Sequence, residues 1–240
     1  MTGQELILSK SSIDVWLDCH RKWMYAYVYR VHGPPSIEQA RGQAVHAGVE
    51  ALLKDKDPFK ALQKAWKAET ALMPNADSAE ARQALADAHT LLRVYQANIA
   101  PLLGTVIAIE KDFLVRVNGI LMSGRIDVAD QDVHDTKTTA TPAKVSANSH
   151  RLGMTLYRHG YRALTGTWPG RLLLDIVARN GRWKQLEVEP DDAELAEVAG
   201  LVAKGVNEGD FAPTGAAKGS CHKCAYVNIC EFANVAWGFD

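Results

Sequence analysis

Long hydrophobic runs are missing from this chain of 240 residues. No stretch approaches the ~18 consecutive apolar residues that mark a membrane helix, and Met1 to Lys10 lacks the apolar core of a secretory leader. Membrane insertion and export are therefore not expected, and the cytoplasm is the expected compartment. An excess of either charge is missing too: 27 Lys and Arg face 28 Asp and Glu, which excludes a uniformly basic nucleic-acid coat. No internal repeat and no low-complexity tract occurs, which argues against solenoids and disordered linkers. A glycine-rich phosphate loop with its Lys-Ser or Lys-Thr ending is also absent. The chain therefore carries no motor of its own.

Cysteine is sparse, and its placement tells more than its number. Cys19 stands alone near one end, and Cys221, Cys224 and Cys230 form C-x2-C-x5-C near the other. A reducing compartment disfavours disulfides, so clustered thiols read as metal ligands. Four thiolates so placed share one centre only if the fold closes a loop of about 200 residues. Two other readings stay open: a zinc knuckle built from Cys221, His222, Cys224 and Cys230, and unrelated buried thiols.

The rest of the chain has the 47% apolar content of a globular protein with a sizeable core. Ser9 is placed to cap a helix through Ile13 and Trp16 to Cys19, and helices are expected over 37–54, from Pro58, and from Asp77 or Ser78 to Pro101. The period then changes. Strands are expected over 105–109, 113–117, 120–128 and 133–138, with Asn118-Gly119 as a tight hairpin turn. A helix over 148–164, strands over 171–178 and 183–188, and a helix over 191–207 complete the α/β pattern. One domain over 1–240 is expected: a mainly helical part over 1–101, a sheet with its helix over 102–190, and a C-terminal helix with the cysteine segment over 191–240.

The stretch Gly124-Arg-Ile-Asp127-Val-Ala-Asp-Gln-Asp-Val-His-Asp135-Thr-Lys137 carries chemistry. If the turn at Asp130 to Asp132 pairs Ala129 with Val133, Asp127 stands opposite Asp135 on the next strand. Such partners have Cβ atoms roughly 4.5–5.5 Å apart, close enough for two carboxylates to grip one divalent ion. Lys137, two residues on, lies on the same strand face. Bare opposed carboxylates repel, so the arrangement costs stability unless a cation resides between them or solvent surrounds them.

With these motifs in that order, the chain resembles RecB-type nucleases of the PD-(D/E)XK superfamily, in the branch with a C-terminal iron–sulfur cysteine cluster, which includes AddB-like and CRISPR-associated RecB-like exonucleases. The resemblance rests on Leu8-Ser9-Lys-Ser11 with Trp16, Cys19, Arg21 and Trp23, on Gly42-Gln-Ala-Val-His46, on Gly124-Arg-Ile-Asp127, on Asp135-Thr-Lys137-Thr138, and on the terminal cysteines.

It implies a restriction-endonuclease-like core, with a mixed sheet flanked by helices, and a 4Fe–4S cluster on Cys19, Cys221, Cys224 and Cys230 tying the two ends together. It implies Mg2+ or Mn2+ held by His46, Asp127, Asp135 and the carbonyl of Thr136, with Lys137 orienting or activating the attacking water. Glu110 corresponds to an acid that commonly opens the preceding strand. The implied activity is metal-dependent phosphodiester hydrolysis on DNA, single-stranded or at duplex ends, beside a separate helicase or recombination protein. Two departures stand out. The glutamine expected four residues before Tyr157 is Gly153, and Cys19 is followed by His20 where proline is common.

Blander readings run alongside. Asp127 and Asp135 could be solvated turn acids, as Asp130 and Asp132 are taken to be. His46 could simply pair with Glu50, and Glu110 could be a strand-edge acid. Residues 139–186 hold eight Lys and Arg against Asp175, so Arg151, Arg158 and Tyr161 are read as DNA contacts, with Tyr157 beside them as a catalytic candidate. The aromatic run from Trp16 to Tyr29 is read as core before base-stacking surface. A non-catalytic iron–sulfur DNA-binding or scaffold subunit is the rival function.

Overall fold

The structure is a computed structural model that describes residues 5–31 and 35–233; of Gly33-Pro34-Pro35, where the sequence predicts a break after the first helices, Gly33 and Pro34 fall outside them. In chain order the elements are β1 (Ile7–Ser9), α1 (Lys10–Asp18), α2 (His20–Trp23), α3 (Ile37–Leu53), α4 (Pro58–Thr70), α5 (Ala79–Asn98), β2 (Ala108–Val117), β3 (Ile120–Ala129), β4 (Val133–Thr139), α6 (Arg151–Thr165), β5 (Leu172–Ala178), β6 (Trp183–Glu187) and α7 (Asp192–Glu208). They fall into two compact units. The first gathers Met1–Gly33, Leu114–Gly124 and Asp192–Asp240, and the second Pro34–Phe113 and Arg125–Asp191. No helix among the described residues is long and apolar enough to cross a membrane.

In the first unit Ser9 starts α1 through a capping box: its hydroxyl accepts the Ser12 amide, and the Ser12 hydroxyl accepts the Ser9 amide. β1, too short to carry a sequence signal, pairs in parallel with the start of β3, Ile7 opposite Leu121 and Ser9 opposite Ser123. The helical path beyond Cys19 ends in a π-helical turn over Met24–Val28. Gly205 of α7 lies against Trp16, where a Cβ would come within 2.5 Å of the indole. The ends of the chain meet here. The Arg21 amide donates to Ala212 O, the His20 amide to Thr214 Oγ1, and the Tyr226 hydroxyl to Val31 O.

In the second unit, capped helices pack on a sheet. Ser36, Asp57 and Ser78 cap α3, α4 and α5, and the apolar faces of these helices close around Leu62, Leu91, Leu92 and Tyr95 with Val128 and Val177 of the strands. β3 pairs antiparallel with β4, Ala129 opposite Val133 as the turn length requires, and β4 pairs in parallel with β5. β6 completes the edge antiparallel to β5. Every residue of β5 is buried, and its apolar run, broken only by Asp175, suits a strand covered on both faces. The unit is thus a mixed sheet flanked by helices.

Two expectations need correction. Residues 105–109 and 113–117 do not form separate strands; β2 runs unbroken from 108 to 117, and Glu110, at a φ of +46°, bends it instead of ending it. Asp130 and Asp132 are not solvated, each being 3% exposed. Asp130 accepts the amides of Asp132 and Gly104, and Asp132 binds the Arg171 guanidinium.

Candidate functional site

The second unit brings three sequence-distant groups to one point. His46 lies mid-way along α3, Glu110 on β2 and Asp127 on β3, and their ligand atoms all lie within 4.8 Å of one another. His46 Nδ1 is 3.2 Å from Glu110 Oε1 and 3.5 Å from Asp127 Oδ2. Glu110 reaches inward from a left-handed backbone position, which costs a non-glycine residue roughly 1–2 kcal/mol and in native proteins clusters at functional sites. The carboxylate of Asp127 accepts the backbone amide of Thr136 at 2.9 Å.

Asp135 and Lys137 follow on β4. Lys137 Nζ lies 2.7 Å from Asp135 Oδ2. Asp135 stands outside the tight trio, yet its charge acts on both His46 and Asp127. Burial works to lower the His46 pKa, but Asp127, Glu110 and Asp135 outweigh it and push it up to about 9. Burial raises the Asp127 carboxyl to about 7, with repulsion from Asp135 and Glu110 adding to the rise and His46 and the Thr136 amide opposing it.

This donor set suits a hard divalent cation. Two carboxylates and one imidazole converge with Asp135 beside them, and a cation would relieve the burial and repulsion that raise the Asp127 carboxyl. Two buried polar atoms nearby, the Tyr95 hydroxyl and Thr136 Oγ1, have no hydrogen-bond partner among the described residues. Burial, reinforced by Asp175 and Asp127, raises the Tyr95 pKa strongly.

The DNA-contact candidates are placed differently. Tyr161 is only 6% exposed and donates its hydroxyl to Asp130 O. It therefore holds the β3–β4 turn, and the reading of Tyr161 as a DNA contact is withdrawn. Tyr157 sets its ring edge-on to Phe113 of β2, and Arg151 opens α6. Arg158 and Arg162 lie over the Trp168 ring at 4.2 Å and 4.5 Å, and Arg158 shares a surface groove with Glu187 and Glu189. Arg171 is held by Asp132 and Arg179 by Asp87. Much of the basic excess over 139–186 is therefore engaged inside the protein.

Sequence reasoning missed two residues here. Arg125 grips Asp112 through two hydrogen bonds and comes within 4.0 Å of Glu110. Its place two residues before Asp127 on a strand was the available signal. Tyr95 had none, because its neighbours come from elements far along the chain.

The first unit holds the thiols. Cys19, Cys221, Cys224 and Cys230 line one cavity with Arg21, Lys22, Tyr25 and Tyr226. Burial and the other three cysteines raise the Cys221 pKa, and the Tyr226 amide donates to Cys224 Sγ at 3.5 Å. A single tetrahedral zinc with Zn–S of about 2.3 Å draws its sulfurs to within about 4 Å of each other. Among the described residues no three of these sulfurs lie within 4.8 Å of one another.

A family model described as the PD-(D/E)XK nuclease superfamily matches residues 7–231. Among solved structures, a protein provisionally assigned as an exonuclease from Eubacterium rectale is similar over 95% of this chain and 87% of its own, at 11% identity and a TM-score of 0.65. The protein SSO0001 aligns over 96% of this chain and 89% of its own, at 17% identity and a TM-score of 0.47. No curated protein matches.

Proposed function

The chain belongs to the PD-(D/E)XK nuclease superfamily, and from that premise we propose that it is a metal-dependent deoxyribonuclease of the RecB type, acting as an exonuclease on single strands or duplex ends. The observation that carries this reading is the meeting of His46, Glu110 and Asp127 within 4.8 Å, with the Asp135–Lys137 pair beside them.

His46, Asp127 and Asp135 would hold Mg2+ or Mn2+, with the Thr136 carbonyl as a further oxygen and Glu110 as an added acid. An imidazole among oxygens widens tolerance toward manganese. Such an ion supplies Lewis-acid charge at the phosphoryl group and lowers the cost of deprotonating water. The chain's own residues do the rest. Lys137 carries a point charge on a flexible stem, suited to donating to a phosphate oxygen as negative charge grows there, or to orienting the attacking water. Its bond to Asp135 fixes where that charge rests. Asp127, held by the Thr136 amide, is oriented before substrate arrives. Arg125 sets positive charge next to Glu110 on the exposed side.

The four cysteines would hold a 4Fe–4S cluster, a reading supported by the one cavity they line together. Its part is structural: one centre would cross-link the beginning and end of the chain within the first unit. Helicase or recombination partners belong to the same reading, since the chain has no nucleotide-binding loop.

The test is incubation of anaerobically purified protein with end-labelled single- and double-stranded DNA, with and without Mn2+. Metal-dependent shortening from an end is expected. Absence of cleavage on every DNA form, from protein that binds DNA and carries iron, would replace this reading with that of a scaffold subunit.

A further inference from the structure

A strand that reaches the His46 centre must continue somewhere, and much of the cationic stretch over 139–186 is tied up by internal partners. The second unit offers another path. Between α3 and α4 runs an open groove of about 350 Å3, floored by alanines such as Ala51 and Ala65 and bordered by Lys54, Lys56 and Lys64. All three lysines are exposed. Lys54 is partly neutralised by Glu50 at 2.6 Å, whereas neither Lys56 nor Lys64 forms an ion pair among the described residues.

The groove begins next to the candidate centre on α3, since its lining includes Ala47, the residue after His46. Glu50 lines it and lies one helical turn beyond His46, on the same face of α3. The Glu50 charge also bears on Arg125, whose guanidinium reaches Glu110. A floor of small side chains leaves room for bulky occupants, and ammonium groups on flexible stems along the border suit phosphates without regard to base sequence.

We infer that the α3–α4 groove is the track along which one nucleic-acid strand leaves the metal centre, its phosphates paired with Lys56 and Lys64. This rests on the nuclease reading and extends it to a binding surface. The occupant is a single strand: the groove is borne on one pair of helices, and its cations flank it as a backbone would need.

The experiment measures binding of a fluorescent single-stranded oligothymidylate to the full chain in EDTA, by anisotropy, across a salt series. Lys56→Gln combined with Lys64→Gln should lower the slope of log K against log salt by about 1.4, at roughly 0.7 for each phosphate left without its lysine. Affinity at 0.1 M salt should fall on the order of tenfold by the same relation. Lys60→Gln combined with Lys67→Gln, which changes exposed lysines of α4 outside the groove lining, should keep the parent slope. An unchanged slope in the groove variant, an equal loss in the control, or a loss confined to duplex would each overturn the track. A parent protein that binds no DNA would overturn the nuclease reading as well, which keeps the two failures apart.

Discussion

At the scale of single residues the candidate metal centre is a set of groups held against their own preferences. Glu110 pays in backbone strain and Asp127 in proton affinity. Replacing Glu110 by glycine frees the left-handed position and removes one repelling carboxylate, while adding unfolded-state entropy of about 0.5–1 kcal/mol. Glu110→Gly should therefore be at least as stable as the parent to urea in EDTA, yet nearly devoid of metal-dependent cleavage; a loss of more than about 1 kcal/mol would refute the strain argument. Asp135→Ala and Lys137→Ala should each lower the cleavage rate by at least about a hundredfold, a loss typical of removing one transition-state partner, with circular dichroism unchanged. Retained cleavage by both would remove the assignment. The sign of the pH dependence follows from Asp127. Its folded pKa, about 7, lies above the ordinary carboxylate value, so the folded state holds a proton that the unfolded state releases. That contribution is fully present below about pH 4 and is lost as pH rises toward 7. Relative to Asp127→Asn, metal-free parent protein should lose stability between pH 4 and 7, and added Mn2+ should offset the loss most at the upper end, where metal displaces fewer protons. A flat difference across that range in EDTA would count against the burial of Asp127.

At the scale of elements, one turn sets the register of the candidate site's strands, and a buried network fixes that turn. Asp130 accepts two backbone amides and faces His134, which also bonds Asp175 at 2.9 Å. Gln185 donates to Asp175 in turn. Asp130→Ala strands the buried Asp132 amide, the part-buried Gly104 amide and one side of an imidazole, so a loss on the order of 2–3 kcal/mol is expected in urea unfolding, and metal affinity should fall with it as Asp127 and Asp135 lose their register. The helix starts were legible in the sequence because Ser9, Ser36, Asp57 and Ser78 satisfy amides within their own first turns. The Ala129–Val133 register was legible for the same reason: a short turn admits few pairings. Locality is also why the rest was hidden. Asp130, Gln131 and Asp132 look like a solvated turn in sequence, and Gly104, Tyr161, Gly170 and Arg171, brought in from elsewhere, satisfy them. The bend at Glu110 was hidden because a bend inside a strand and a break between two strands have the same local pattern. Of the candidate centre, Asp127, Asp135 and Lys137 could be grouped from spacing on two strands, but His46 could join them only through family resemblance, since no local rule relates a helix to a hairpin about 80 residues away.

At the scale of the whole molecule, the chain divides its two centres between its two units. The thiols lie wholly in the first, the carboxylates wholly in the second. The first unit is made from three separated segments, so its integrity depends on contacts between sequence-distant pieces: the Arg21 amide on Ala212 O, the Tyr25 hydroxyl on Ile229 O, and Gly215 close against Cys19. Some of these are exposed to solvent, and a centre bonded to both segments would further constrain the unfolded chain. By the loop-closure relation used for disulfides, a cross-link spanning about 100 residues or more contributes about 4–5 kcal/mol, and a cluster joining Cys19 to Cys221, Cys224 and Cys230 closes a longer loop. Cys224→Ala should therefore lose its iron and brown absorbance and melt several degrees lower. Its first proteolytic cuts should fall within 209–233, where the chain is mostly turns, while the second unit stays protected longer. Unchanged iron content in Cys224→Ala, or first cuts within α3–α5 instead, would show that the cysteines do not fasten the ends of the chain.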